Sequence, residues 1–231
     1  KGNFAGTIEG DTLSGALTHG GTQSKIEGKI GRRIPLAAGN WEMKFKVGER
    51  DITATLAVKA DLEGKLTAEW QSQMGEHKVT DVQSDGGKLT FKRQSKIQDR
   101  EWESTFEGTI DSKTNTLSGI INAEQGEIPA EGKLIGSELI GNWILDISAP
   151  WGSSRQRLKI NQDMSGMYGT TPIEKITLEG DKVTFKVTPE FGRMRFEMNF
   201  EGKLDGSKLT GEFKNPRGSQ EVTGKKMSSA I

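Results

Sequence analysis

Phe200-Glu-Gly-Lys-Leu-Asp-Gly-Ser-Lys-Leu-Thr-Gly211 occurs three times in this chain. The second copy is Phe106-Glu-Gly-Thr-Ile-Asp-Ser-Lys-Thr-Asn-Thr-Leu-Ser-Gly119, with two extra residues in its turn. The third is Phe4-Ala-Gly-Thr-Ile-Glu-Gly-Asp-Thr-Leu-Ser-Gly15. Each copy reads as strand, tight turn, strand. Phe196, Met198, Phe200, Gly202 and Leu204 share one parity, and Glu197, Asn199, Glu201 and Lys203 the other. A strand alternates faces with period two, so this is a strand with one buried and one wet face. Trp102, Ser104, Phe106, Gly108 and Ile110 repeat the pattern. Gly6, Gly108 and Gly202 fall at matching inward positions, where a strand bends or another element comes close. Asp111 to Asn115 has the composition of a calcium loop, but no bidentate Glu follows, so it reads as a turn.

Working outward, Gly39-Asn-Trp41 returns as Gly141-Asn-Trp143, 102 residues on. Leu56, Val58, Asp61 and Gly64 match Leu158, Ile160, Asp163 and Gly166 at that offset. Beyond it, Val82 matches Ile176, and Lys88-Leu-Thr-Phe-Lys92 matches Lys182-Val-Thr-Phe-Lys186, both 94 residues on. The first copy is thus eight residues longer, around Thr67–Val79. Matches sustained over whole units mark a duplication. The second copy predicts eight strands, near 141–148, 155–162, 165–171, 174–179, 182–188, 193–204, 208–214 and 220–226. No window carries an apolar stripe of helical period, so almost no helix is expected.

The expected fold is all-β: tandem antiparallel eight-stranded up-and-down barrels, preceded by an incomplete third unit. Residues 1–34 hold the last three strands of that unit and a linker, 35–137 the first full repeat, and 138–231 the second. A sandwich stays open as an alternative, because periodicity does not show closure. Three strands with an apolar face are marginal alone. Residues 1–31 are therefore expected to pair with the remainder of a larger polypeptide or with a partner chain.

The chain has 231 residues, with 32 Lys plus Arg against 32 Asp plus Glu. Zero net charge with scattered ions argues against a nucleic-acid or anionic-membrane surface. No apolar run is long enough for a membrane-spanning helix. The absence of cysteine removes disulfides, thiolate nucleophiles and cysteine-based metal sites. The two histidines, His19 and His77, have no ligand-spaced partner and read as solvated loop residues. Neither a nucleophile elbow nor a phosphate-binding loop is present. No catalytic residue, metal ligand or cofactor is assigned.

The aromatic side chains are the remaining lead. Trp41 and Trp143 are repeat-equivalent and read as core plugs, as do the pairs Phe91/Phe185 and Phe106/Phe200. Trp70, Trp102, Trp151 and Tyr168 are the candidate ligand contacts. Trp102 sits inward and either fills the barrel or lines a cavity. Trp70 lies at the edge of the eight-residue insertion. Trp151, on the Ala149-Pro-Trp-Gly-Ser153 loop, suits stacking on a ligand or packing on a neighbouring unit.

Gly-x-Trp opening an up-and-down run of eight strands resembles the lipocalin and calycin families. The resemblance implies that the Trp plugs the closed end and that a basic residue from the end of the last strand packs over it. The corresponding pairs are Trp41 with Lys133, and Trp143 with Lys225 or Lys226. Gly-Asn-Trp, Leu-x-Ile-x-Gln-Asp, Gly-Asp-Lys-Val-Thr-Phe and the Phe200 hairpin together look like small β modules of secreted bacterial proteins, some appended to amidohydrolase-type enzymes. That resemblance implies a secreted or periplasmic, non-catalytic accessory or interaction module. Two alternatives remain: a binding protein for a small apolar or glycan ligand, and a part of a metal-dependent amidohydrolase-type enzyme.

Overall fold

The computed structural model describes residues 2–10, 12–29, 34–61, 63–97, 100–150, 152–191, 194–216 and 218–227. The chain divides into two compact units, Lys1–Arg33 and Ile34–Ile231. Among the described residues there is no helix.

The first unit is a three-stranded antiparallel sheet of β1 (Gly2–Glu9), β2 (Thr12–His19) and β3 (Thr22–Lys29). One face carries Phe4, Ile8, Leu13, Leu17 and Ile26. Phe4 is 47% exposed and Ile8 67%.

The second unit contains two barrels. Barrel one is built from β4 (Gly39–Val47), β5 (Arg50–Ala60), β6 (Leu66–Ser72), β7 (Glu76–Asp85), β8 (Lys88–Ile97), β9 (Arg100–Asp111), β10 (Thr116–Ala123) and β11 (Gly126–Leu134). The strands pair in chain order, and β4 also pairs with β11, so the sheet curls on itself. Only β6 and β7 meet without a shared ladder. Closure of this kind removes most exposed edges.

Barrel two follows as β12 (Gly141–Ala149), β13 (Gly152–Ile160), β14 (Gly166–Tyr168), β15 (Thr171–Ile173), β16 (Ile176–Glu179), β17 (Lys182–Val187), β18 (Glu190–Phe191), β19 (Met194–Arg195), β20 (Met198–Asp205), β21 (Lys208–Asn215) and β22 (Gly218–Lys226). Nine of these form its sheet, with β15 and β16 at the edges, and β18–β19 is a separate ribbon. Both barrels are nearly closed and antiparallel. Where eight strands were expected here, the sheet has nine. The strand expected over 193–204 is interrupted at Phe196 and Glu197, leaving β19 and β20.

The duplication extends to register. Phe91 faces Phe106 and Phe185 faces Phe200 across their ladders. Both pairs stack, at 4.9 and 4.7 Å between ring centroids. Gly108 pairs with Gly119, Gly202 with Gly211, and Gly6 with Gly15. A Cβ on Gly119 would meet the Glu107 carbonyl oxygen, and would lie 2.6 Å from Gly108 Cα and 2.7 Å from the Phe106 ring. The glycine pair is the floor on which the phenylalanine ring rests. β1–β3 share the register of β9–β11 and β20–β22, and their Phe4 face matches the face that both barrels turn inward.

The Asp61 and Gly64 match needs correction. The turns close through Asp61 N–H to Lys65 O and through Asn161 N–H to Ser165 O, so Asp61 corresponds to Asn161 and Gly64 to Met164. Both Gly64 and Met164 have positive φ. β5 simply runs two residues further than β13 before turning. The other six extra residues lie in β6, β7 and the turn between them.

Trp41 and Trp143 each stand third in the first strand of a barrel, in its core. They are 1% and 0% exposed, and each indole N–H donates to a carbonyl four residues earlier, of Ala37 and Leu139, at 2.9 Å. A side chain of this size stabilises the fold by ~1.5–3 kcal/mol through burial. The two barrels meet at the ends where these Trp residues lie. Gln162, in the β13–β14 turn, donates from Nε2 to the carbonyls of Pro35, Leu36 and Ala38 at 3.0, 2.7 and 2.7 Å.

Candidate ligand site in the mouth of the first barrel

The end of barrel one opposite Trp41 is open. The longer β6 to β9 strands extend its wall there, around a cavity of about 220 Å³. Phe45, Val47, Ile52, Trp70, Trp102 and Ile128 supply apolar wall. Trp70 is 4% exposed and packs against Phe45 and Phe91, with centroids 5.8 and 6.1 Å away. Its Nε1–H is buried and finds no acceptor among the described residues.

The polar groups come from β6, β7, β8 and β9. β8 alternates inward as Leu89, Phe91, Arg93 and Ser95, so period two carries a cation into the barrel. The Arg93 guanidinium carbon lies 4.5 Å from the Trp70 ring centroid, and its Nε donates to Ser104 Oγ at 3.2 Å. Burial pushes its pKa down to about 10, which leaves it cationic at neutral pH. Among the described residues no carboxylate forms an ion pair with it.

His77 lies on β7, half-buried between two serines. Its Nε2 is 2.8 Å from Ser72 Oγ and its Nδ1 is 2.9 Å from Ser95 Oγ. Burial first, and then the Arg93 charge, hold it below its usual value of 6.5. It is a neutral imidazole that donates to one serine and accepts from the other. The expectation of a solvated loop residue is thus replaced by a strand residue in a barrel mouth. His19, at the end of β2, is exposed.

The structure brings two of the four ligand candidates together. Trp70 and Trp102 line the same cavity. Tyr168 lies in barrel two, 8% exposed and edge-on to Phe213 at 5.3 Å. Burial pushes its hydroxyl up to about 12. By ladder register Tyr168 is the counterpart of Trp70, since Leu56 pairs with Trp70 and Leu158 with Tyr168. Trp151 lies outside the described residues. The remaining site groups, Arg93, His77, Ser72, Ser95 and Ser104, were not singled out as ligand contacts. Strand parity signals three of them, Arg93 and Ser95 with Phe91 and Ser104 with Phe106.

Of the cations expected over the two Trp residues, Lys226 is in place over Trp143, while Lys133 and Lys225 point outward. Lys133 pairs with Glu42 and is exposed, and it is Leu134 that pairs with Trp41. Lys225 pairs with Ile144 and is exposed, whereas Lys226 pairs with Trp143. Lys226 Nζ lies 5.8 Å from the Trp143 ring centroid and donates to Glu138 O at 2.6 Å.

In barrel two the counterparts of Arg93, Ser104 and Trp70 are apolar or aromatic and buried. Val187 stands where barrel one has Arg93, and Met198 where it has Ser104; they are 2% and 5% exposed. A larger open groove of about 620 Å³ lies by the parted β15 and β16 edges, lined by Thr171, Glu174, Lys175, Lys186 and, at its inner end, Val187. Among the described residues no group of three or more His, Asp or Glu side chains converges as a metal site would.

Comparison with family models finds no match, and comparison with curated proteins finds none either. Three solved structures are similar in part. A Bacteroides fragilis protein described as an outer membrane protein shares 14% identity at a TM-score of 0.33, over 82% of this chain and 97% of its own. Transferrin binding protein B of Haemophilus parasuis, a vaccine antigen, shares 11% at 0.25, over 96% of this chain and 53% of its own. A Nostoc punctiforme protein of unknown function from the DUF3598 family shares 12% at 0.21, over 83% and 97%.

Proposed function

We propose that this chain is a non-catalytic, tandem-barrel binding module of a larger extracytoplasmic bacterial protein, and that its first barrel takes a small, largely apolar ligand. One observation carries the reading. Two barrels of common origin differ where it matters: barrel two fills its interior with Val187, Met198 and Tyr168, while barrel one keeps an open mouth with Arg93, Ser104 and Trp70 at the same positions. The fold therefore does not require the cavity. A volume of 220 Å³ is below the usual pocket range of roughly 300–1,000 Å³, so the ligand is small and the site excludes a glycan chain. His77 ends on a serine at both nitrogens, whereas a catalytic triad places a carboxylate at one of them. This favours holding a molecule over transforming it. The placement outside the cytoplasm, secreted or periplasmic, follows the resemblance of the repeat motifs to modules of exported proteins, including those beside amidohydrolases. Residues 1–31 supply the last three strands of a further barrel, completed by another segment or chain. Deleting them is expected to change the melting temperature or oligomeric state, and no change in either would remove that part of the proposal.

The test is native mass spectrometry of the chain isolated from its source, before and after mild unfolding, alongside the Arg93→Val, Ser104→Met double variant. A small molecule released from the natural chain and missing from the variant is expected. A chain that carries none, and whose tryptophan fluorescence responds to no small aromatic or aliphatic probe, would overturn the reading.

A further inference from the structure

We infer that the ligand is a small organic anion, with an apolar body of about one ring and a carboxylate received by Arg93. This rests on the binding reading above and adds the charge of the ligand.

The first support is where the charge lies. The ion pairs of the described residues lie on the outer surface, with side chains well exposed, as in Lys88–Glu107 and its repeat counterpart Lys182–Glu201. Arg93 is turned inward, is mostly buried, and has a serine as its side-chain partner. An unpaired buried charge is costly, and it persists where something compensates for it. Barrel two supplies the control, because Val187 occupies the equivalent place, buried in the core, and the sheet still curls into a nearly closed barrel. The cation is therefore not a folding device.

The second support is how Arg93 is held. A guanidinium has five N–H donors in one plane. Stacking on Trp70 uses its face, and Ser104 takes the Nε proton. The two terminal nitrogens, whose donors match a carboxylate in bidentate fashion, have no side-chain partner among the described residues and face the cavity. Trp70 Nε1–H, buried without an acceptor among the described residues, is a further donor on the same wall.

The third support is what else faces the cavity. His77 is neutral, and Ser72 and Ser95 are engaged with it. Glu103 and Glu124 stand at the rim and are exposed. Glu103 accepts from Gln94 Nε2 at 2.9 Å, on the outer face of the sheet. One cation with apolar walls fits one negative charge on an apolar body, not a polyanion. An apolar cavity of ~150 Å³ admits benzene, so 220 Å³ admits one ring and a carboxylate.

The experiment uses the full chain and calorimetric titration with benzoate, hexanoate and their neutral amides. Each acid is expected to bind about tenfold or more tighter than its amide. Arg93→Met is expected to abolish that preference, and Arg93→Lys to keep part of it, since the charge remains and the planar fork is lost. Equal binding of acid and amide to the natural chain would overturn the inference and leave the binding reading standing. Undiminished preference in Arg93→Met would overturn it in the same way. Binding of neither class would overturn both. The fold of each variant is checked by its near-ultraviolet circular dichroism, and Arg93→Lys reads out the inference where Arg93→Met fails to fold.

Discussion

Arg93 of the first barrel and Val187 of the second occupy one place in the duplicated sheet. Each lies two residues beyond a phenylalanine, Phe91 or Phe185, that stacks on its cross-strand partner. One site holds a charge and the other a branched hydrocarbon, inside barrels that otherwise share register and turns. The pair separates what the fold needs from what a ligand needs.

Stability should follow that separation. Arg93→Val is expected to stabilise the ligand-free chain by about 1 kcal/mol, because it removes a buried unpaired charge. For a domain of this size that is a rise of about 2–4 °C in melting temperature. The converse, Val187→Arg, is expected to cost about 3 kcal/mol, since no counter-charge awaits it. Calorimetry of the two variants checks both signs.

His77 makes stability depend on pH. Its folded pKa lies below the usual 6.5. Between the folded and unfolded values the unfolded chain binds more protons, so stability falls as the pH drops. The His77 contribution is complete above about pH 6.5 and is lost as the pH falls through the depressed folded value. Urea midpoints from pH 7.5 to 4.5 are expected to decline less in His77→Gln than in the natural chain.

The glycine under Phe106 tests the packing of the repeat. Gly119→Ala places a methyl group against backbone on two sides, and backbone has little room to give. A loss of about 1–3 kcal/mol is expected, as for overpacking generally. Gly211→Ala should behave alike in barrel two. An alanine tolerated at both positions would mean that the ring is not seated on the glycine pair.

The plug of barrel two distinguishes two adjacent lysines. Lys226→Met loses the contact with Trp143 and the bond to Glu138 O, and is expected to cost about 1 kcal/mol. Lys225→Met, on the wet face, is expected to stay within about 0.5 kcal/mol of the natural chain. Urea unfolding followed by tryptophan fluorescence reads both.

Much of this architecture was legible in the residues. The Phe-x-Gly hairpins, the Gly-x-Trp plugs and the repeat offset all come from local chemistry, because a strand's parity and a turn's glycine are set within a few residues. What stayed hidden was relational. Trp70 and Tyr168 are equivalent only through the ladders, since β5 outruns β13 by two residues and no constant offset joins them. The Lys225–Lys226 choice was already contained in the alternation, because Val222, Gly224 and Lys226 share a parity. Arg93 was obscured for a different reason. A charged residue in a strand usually faces water, and only its parity with Leu89 and Phe91 says otherwise. The extra residues that built the mouth showed as a length difference, with nothing in their composition to say that they would extend a wall.

Gln162 anchors the turn of one barrel to the segment that leads into the other, and does so at the blind ends of both. The mouth of the first barrel therefore opens on the side remote from the second, and a ligand of the proposed kind would enter there. A host protein that attaches through barrel two would leave that entrance clear, with the duplicated partner acting as a pedestal rather than a second receptor.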